Sequence, residues 1–311
     1  MNPDVRSPMP LETPACPLCG TADYVTVVHT LSVRDPRPAV SATYPLQLVR
    51  CQRCTMVYLS PRPIQAVMGW FYPEETYHAH QTSRGIKGAI SAWRTHGAAK
   101  AILRGVSGTA HVLEVGCGRG ELLAALRQRG ALVMGIEPGR GAAAAALEQG
   151  LDVHLGTVET VPLPRATFDR IIMKYALEHV PDPLNTLRRL AAALKPNGTI
   201  TLWLPNADSW EAHFFGADWR GYDPPRHLTI FTPATIEQCC LEAGLRVTAL
   251  TYSPVPNDWA GSARIRQTSE RPPWSGAMGS AAGLALWFPL SLLAAFMRRA
   301  GRMRVVCSHS A

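Results

Sequence analysis

The chain has 311 residues and 47% hydrophobic content, enough for about two domains with a sizeable buried core and too apolar for a disordered polymer. Its net charge of +8, from 31 Lys and Arg against 23 Asp and Glu, favours anionic partners in general. With no run of five basic residues and no basic stretch interleaved with aromatics, that charge does not by itself mean a nucleic-acid partner.

Residues 1–13 carry no charged-then-apolar leader and are expected to be disordered, with a cytoplasmic compartment as the default. In that compartment the eight cysteines read as metal ligands or core residues rather than disulfides. Residues 14–62 hold two C-x-x-C knuckles, Cys16 with Cys19 and Cys51 with Cys54, separated by about thirty residues. Four thiolates on two tight turns suit a tetrahedral Zn²⁺ with every position filled, hence a structural ion; the alternative is four reduced cysteines without metal.

Residues 63–105 form a linking helical segment. Tyr72 and Tyr77 are either substrate contacts or packing against the knuckles, and His78 and His80 are spare ligands. A helix is expected from Ser83 to Gly105, with Ile86, Ile90, Trp93 and Ile102 as its apolar positions.

The core is assigned to residues 106–255 plus 301–309. From His111 to Gly120, HVLEVGCGRG reads as a buried parallel strand and a tight glycine turn, followed by a helix over 120–129 and a strand over 131–136. A dinucleotide fingerprint would be G-x-G-x-x-G facing a pyrophosphate. Here Glu114 precedes Gly116, Gly118 and Gly120, and Glu121 follows them; carboxylates at a helix entrance are poor neighbours for phosphate. Glu137, at the end of the second strand, is placed to accept hydrogen bonds from ribose hydroxyls. A third strand, LDVHL, and a helix-free stretch over 156–167 lead to the strand beginning Phe168-Asp169. Ligands of open α/β sheets sit beyond the strands' carboxyl ends, which sets Lys174, Tyr175, Glu178 and His179 beside this one. Glu178 and His179 are either a cap and cleft wall or catalytic.

Asp182 to Leu194 reads as an amphipathic helix, Lys195 to Gly198 as a turn and Thr199 to Leu204 as the fifth strand. The irregular aromatic segment after it is what a substrate pocket needs. Within it, His227 is either a base or substrate contact, or a histidine bracing the loop before the helix that starts at Thr232. Arg226 pairs with an anionic substrate group or with Asp223. Gly244 to Tyr252 is the sixth strand, and Arg302 to Cys307 the seventh, antiparallel at the sheet edge. Between them, residues 256–300 form an apolar insertion in which 272–297 is uncharged. Both flanks are basic and belong to one sheet, which excludes a single membrane span. The segment over 272–304 then rests on an anionic membrane face, or packs as a lid over the cleft or in a dimer seam.

Three runs together carry a resemblance: E-x-G-x-G-x-G from Glu114 to Gly120, F-D-x-I…L-E-H-V-x-D-P over 168–183, and R-H-L-x-x-F-T over 226–232. With the paired knuckles and YPLQLVRCQRCTMVYL before them, they resemble class I S-adenosylmethionine (SAM) methyltransferases with an N-terminal zinc ribbon, sugar C-methyltransferases among them, over roughly residues 14–255. The resemblance implies a doubly wound, seven-stranded, mainly parallel Rossmann-like sheet beside a small zinc ribbon. It implies SAM, with Glu114, Gly116, Gly118 and Gly120 at the methionine end, Glu137 at the ribose, and the backbone at Val158 with Glu159 at the adenine. Thr157 stands where many such enzymes carry Asp. Lys174, Tyr175 and His179 fall near the methyl group, and His227 near the acceptor. The expected reaction is O-methylation of a small molecule such as a sugar, glycolipid or natural-product hydroxyl. C-methylation of a keto-sugar, and a zinc-ribbon protein or methyltransferase acting on RNA, are the alternatives.

Overall fold

The computed structural model describes residues 9–31, 46–72, 85–269, 278–280 and 283–310. Tyr77, His78 and His80 lie outside the described residues.

The N-terminal part contributes β1 (Leu11–Glu12), β2 (Tyr24–Leu31), β3 (Leu46–Cys51), β4 (Val57–Leu59), β5 (Arg62–Pro63) and the short α1 (Gln65–Met68). The first knuckle closes where Gly20 N–H donates to the Cys16 carbonyl at 2.9 Å, and the second where Thr55 N–H donates to that of Cys51 at 3.1 Å. Next comes α2 (Gly85–Ile102), which buries Ala99 and Ile102 but leaves Trp93 on the surface.

The core then runs β6 (His111–Val115), α3 (Glu121–Arg127), β7 (Leu132–Glu137), α4 (Arg140–Leu147), β8 (Val153–Leu155), β9 (Phe168–Lys174), α5 (Pro183–Ala193), β10 (Leu194–Pro205), α6 (Trp210–Phe215), β11 (Thr229–Ile230), α7 (Pro233–Glu242), β12 (Leu245–Ser253), α8 (Pro256–Ser269), α9 (Gly283–Phe296) and β13 (Arg302–His309). Helix starts follow local chemistry. Asp182 caps α5 by accepting from Asn185 N–H, with Pro183 in the first turn, and Thr232 and Thr235 close a reciprocal capping box on α7.

Seven strands form one sheet in the order β12-β13-β10-β9-β6-β7-β8. Strand β13 is antiparallel to both its neighbours and the remaining pairs among β6–β10 are parallel, which gives the expected Rossmann-like sheet. One expectation is corrected: β13 is not at the edge but lies between β10 and β12, so β12 is the edge strand. Met303, Val305 and Cys307 alternate along β13 at no more than 1% exposure, and an interior position satisfies its backbone on both sides while burying that row. A second correction concerns Lys195 to Gly198. No separate turn interrupts the chain there; β10 already begins at Leu194, and the irregularity is a register shift between Leu194 and Thr199.

The N-terminal sheet has the order β11-β4-β3-β2, so its outer strand β11 comes from the aromatic segment of the core. One apolar cluster accordingly contains Cys16, Leu18, Met56 and Tyr58 together with Leu113, Ile171, Met173 and Leu202. Adjacent Cys239 and Cys240 are fully buried, as packing residues should be. Among the described residues no helix is long and apolar enough to cross a membrane.

Candidate active site

The carboxyl ends of β6, β7, β9 and β10 open on a cleft of about 1680 Å³. On one side stands the glycine turn, where Gly116, Gly118 and Gly120 have φ of 73°, 56° and 79°. That left-handed backbone folds the chain from β6 into α3. At Gly120 a side chain is excluded twice over, because a Cβ would also lie 2.3 Å from Leu151 Cδ1. Glu137, 6% exposed, ties the turn to the next loop: its carboxylate accepts from Gly118 N–H at 2.8 Å and from Gly139 N–H at 2.8 Å. Glu114 lines the cleft with no partner for Oε2 among the described residues. Burial pushes its carboxyl up to about 8, against the opposing pull of Lys174. Val158 is buried and its carbonyl accepts from Arg189, while Glu159 accepts from Thr186 Oγ1 at 2.6 Å, so its carboxylate is engaged with α5.

The opposite side brings together residues from five segments. Tyr175 sits at φ 54° with its ring 4.8 Å from the Arg302 guanidinium, which is paired with Asp258. Burial pushes the Tyr175 hydroxyl up, with Arg302 opposing. His179 Nδ1 lies 3.0 Å from the Arg226 carbonyl and 3.0 Å from Tyr72 Oη. His227 Nδ1 lies 2.7 Å from the Gly221 carbonyl, and the two imidazole centroids are 4.7 Å apart. A carbonyl only accepts, so each Nδ1 carries the proton and each Nε2 keeps its lone pair. Burial, then the neighbouring His227, lowers His179 to about 3; burial also lowers His227, so both rings are neutral near pH 7. Asp223 Oδ2 is 3.9 Å from His227 Nε2. Burial alone would raise Asp223, but His227 and the Arg226 guanidinium, bonded at 2.9 and 2.5 Å, outweigh it and hold the carboxyl below its usual range.

Beside these rings stands Glu178, 1% exposed, with neither carboxylate oxygen partnered among the described residues. Burial raises it to about 8. One ligand atom each from Glu178, His179 and His227 falls within 4.8 Å of the others. Such a group can exchange a proton or hold a cation.

Residues 90–250, more than half of the chain, match the family of a methyltransferase domain. The chain belongs to this family. Over 161 residues it is 34% identical to the ubiquinone biosynthesis O-methyltransferase of Pseudomonas fluorescens, which covers 46% of this chain and 69% of that protein. Against the protein of that name in Bradyrhizobium diazoefficiens it is 32% identical over 167 residues, 49% of this chain and 66% of the relative. Against that of Haemophilus ducreyi it is 42% identical over 102 residues, 29% and 43%. The chain thus spans less than two thirds of the length of two of these relatives. The fold alone is shared with a chain of the solved complex between the Haloferax volcanii Trm112 methyltransferase activator and a methyltransferase, at TM-score 0.51 and 19% identity over 72% of this chain and 93% of that one.

This member of the methyltransferase-domain family gathers the expected cleft residues in one place: Glu114, Gly116, Gly118, Glu137, Val158, Glu159, Lys174, Tyr175, His179 and His227 line the cleft, and Gly120 supports the turn from behind. Tyr72, weighed between packing and contact, reaches the site through His179. Asp258 and Arg302 carry no local signal in the sequence that sets them at the cleft. Arg302 opens β13 opposite Pro205, which brings it to the carboxyl end of β10; only the antiparallel, interior placement of β13 reveals it. The knuckle sulfurs also converge: Cys16 and Cys54 Sγ are 3.4 Å apart, Cys19 and Cys51 Sγ 3.5 Å, and all four lie within 4.8 Å. Tetrahedral Zn–S bonds of about 2.3 Å put sulfurs about 3.8 Å apart, so the donor set fits zinc.

Proposed function

We propose that this methyltransferase O-methylates a hydroxyl of a small-molecule acceptor, with His227 as the base. The observation that supports it is the His227 tautomer: Nδ1–H is spent on the Gly221 carbonyl, which leaves the lone pair on Nε2, 3.9 Å from Asp223 Oδ2, in a ring that lines the cleft. SAM, when bound, supplies an electrophilic methyl group on sulfonium. Its methionine end fits Gly116 to Gly120 with Glu114 and Lys174. Glu137 suits the ribose because each of its oxygens, already holding one backbone N–H, keeps a second lone pair. Val158 and Glu159 wall the adenine end. In-line transfer asks the chain mainly to align the hydroxyl and exclude water. His227 Nε2 takes the hydroxyl proton, and the imidazolium so formed is stabilised by the Asp223 carboxylate.

The knuckle cysteines hold a structural Zn²⁺ on this reading. Its effect reaches the site through backbone: Leu59 N–H donates to the Leu228 carbonyl and Leu228 N–H to that of Glu178, so β4 grips the residue next to His227. The names of the curated relatives favour oxygen over carbon as the acceptor atom and do not single out sugars. The test is methyl-labelled SAM with a panel of hydroxylated compounds and keto-sugars. We expect label in an ether, with kcat falling roughly 10²–10⁴-fold in His227→Asn while SAM affinity stays within a few fold. Label bound to carbon of a keto-sugar would move the assignment to C-methylation, and an unchanged kcat in the variant would remove His227 as the base.

A further inference from the structure

Helix α9 has no polar side. Its inner face, with Trp287, Ser291 and Ala294, is buried, and α9 packs chiefly on α8. Its outer arc consists of Ala285, Leu286, Phe288, Pro289, Leu292, Leu293 and Phe296, all exposed and all apolar, with Phe296 83% and Leu286 61% exposed. Met297 extends the arc at 52% exposure, and the ring of Phe214, also 52% exposed, lies 6.4 Å from Trp287. An ordinary surface helix puts charged residues there.

The cost of exposing such an arc to water demands a partner, and two observations say which. The first is length: 14 residues span about 21 Å, short of the ~30 Å of a bilayer's hydrocarbon core. The strands before and after the helix, β12 and β13, are adjacent in one sheet, so the chain enters and leaves on the same side. The second is charge. Residues 256–304 contain seven arginines and only two acids, Asp258 and Glu270. Asp258 is taken by Arg302, and Arg266 and Arg299 pair with Asp218 and Asp208, while exposed Arg298 directly follows the apolar arc.

We propose that α9 is a membrane-surface helix, lying in the interface of an anionic bilayer with Leu286, Phe288, Leu292, Leu293 and Phe296 immersed and Arg298 among the headgroups. Because α8 carries α9 on one side and lines the cleft with Asp258, Gly261, Arg264 and Ile265, the seat would hold the cleft beside the bilayer, where an amphiphilic acceptor resides. That consequence rests on the acceptor reading above; the seat itself does not.

Flotation with vesicles of phosphatidylcholine, with and without phosphatidylglycerol, tests the seat without any turnover. We expect the full chain to bind phosphatidylglycerol vesicles at least about tenfold more tightly than pure phosphatidylcholine, with the preference reduced by salt. The double variant Phe288→Ser with Phe296→Ser should lose binding about tenfold or more while keeping its melting temperature and SAM affinity, since both side chains are exposed. Arg298→Glu should lose the phosphatidylglycerol preference. Two results overturn the proposal: no flotation with either vesicle, or a wild-type dimer in sedimentation that the double serine variant turns into a monomer, which would make the arc a protein interface.

Discussion

His227 and Glu178 sit side by side, yet burial drives them in opposite senses, and pH separates them. A base must be unprotonated, and burial lowers His227 from its ordinary 6.5. The acid limb of kcat/KM therefore lies below pH 6.5, with activity flat from there through neutrality; a limb above 6.5 in the measured profile would count against His227. Glu178 has a folded value of about 8 against 4.5 when unfolded, so between those values the native state holds a proton that the unfolded chain has released. Its contribution to stability thus falls as pH rises through that window. Glu178→Gln removes the effect, and its stability relative to wild type should improve from pH 5 to pH 8, on the order of 1–3 kcal/mol, in urea titrations at each pH. His179 has the reverse sign: with a folded value of about 3, it weakens the fold as pH drops below 6.5. Gly120→Ala, which meets both a φ of 79° and Leu151, should cost about 2 kcal/mol or more in the same urea titrations. The glycine turn was legible residue by residue because its demands are local. The tautomers of His179 and His227 were not, since they depend on carbonyls of Arg226 and Gly221 that only the folded loop aims at them.

Among the elements, β11 has an importance its two residues do not advertise. It pairs with β4 through Thr229 opposite Tyr58 and Ile230 opposite Val57, and β4 follows directly on the second knuckle. The knuckles and the His227 segment are therefore parts of one sheet. On the zinc reading, removing the metal with a chelator should lower kcat at least about tenfold through misplacement of His227, with a much smaller change in SAM affinity, because the glycine turn lies on a different sheet. Metal analysis beside the kinetics checks this; full activity in metal-free protein would break the link. The knuckles and the histidine segment are both legible in the sequence, but as separate features. A two-residue strand has no periodicity to detect, and its partner is more than 150 residues away.

At the scale of the molecule, the knuckle module and the SAM-binding sheet share one apolar cluster rather than meeting at a polar seam. We expect a single calorimetric unfolding transition that shifts downward as a whole on chelation; two transitions, with only the first shifting, would show an independent module. The sequence by itself determined the alternation of strands and helices, the glycine turn with Glu114 and Glu137, the paired knuckles and the family, because apolar period, turn residues and ligand spacing are properties of short stretches. Tertiary structure alone decided that β13 lies inside the sheet and that Arg302 meets Asp258 across 44 residues under Tyr175. It also decided that β11 completes the N-terminal sheet and that α9 turns an apolar arc outward. Strand order and long-range polar pairing follow from how the chain crosses itself, and local sequence carries no record of which distant partner lowers the cost of burying a charge or a bare backbone edge.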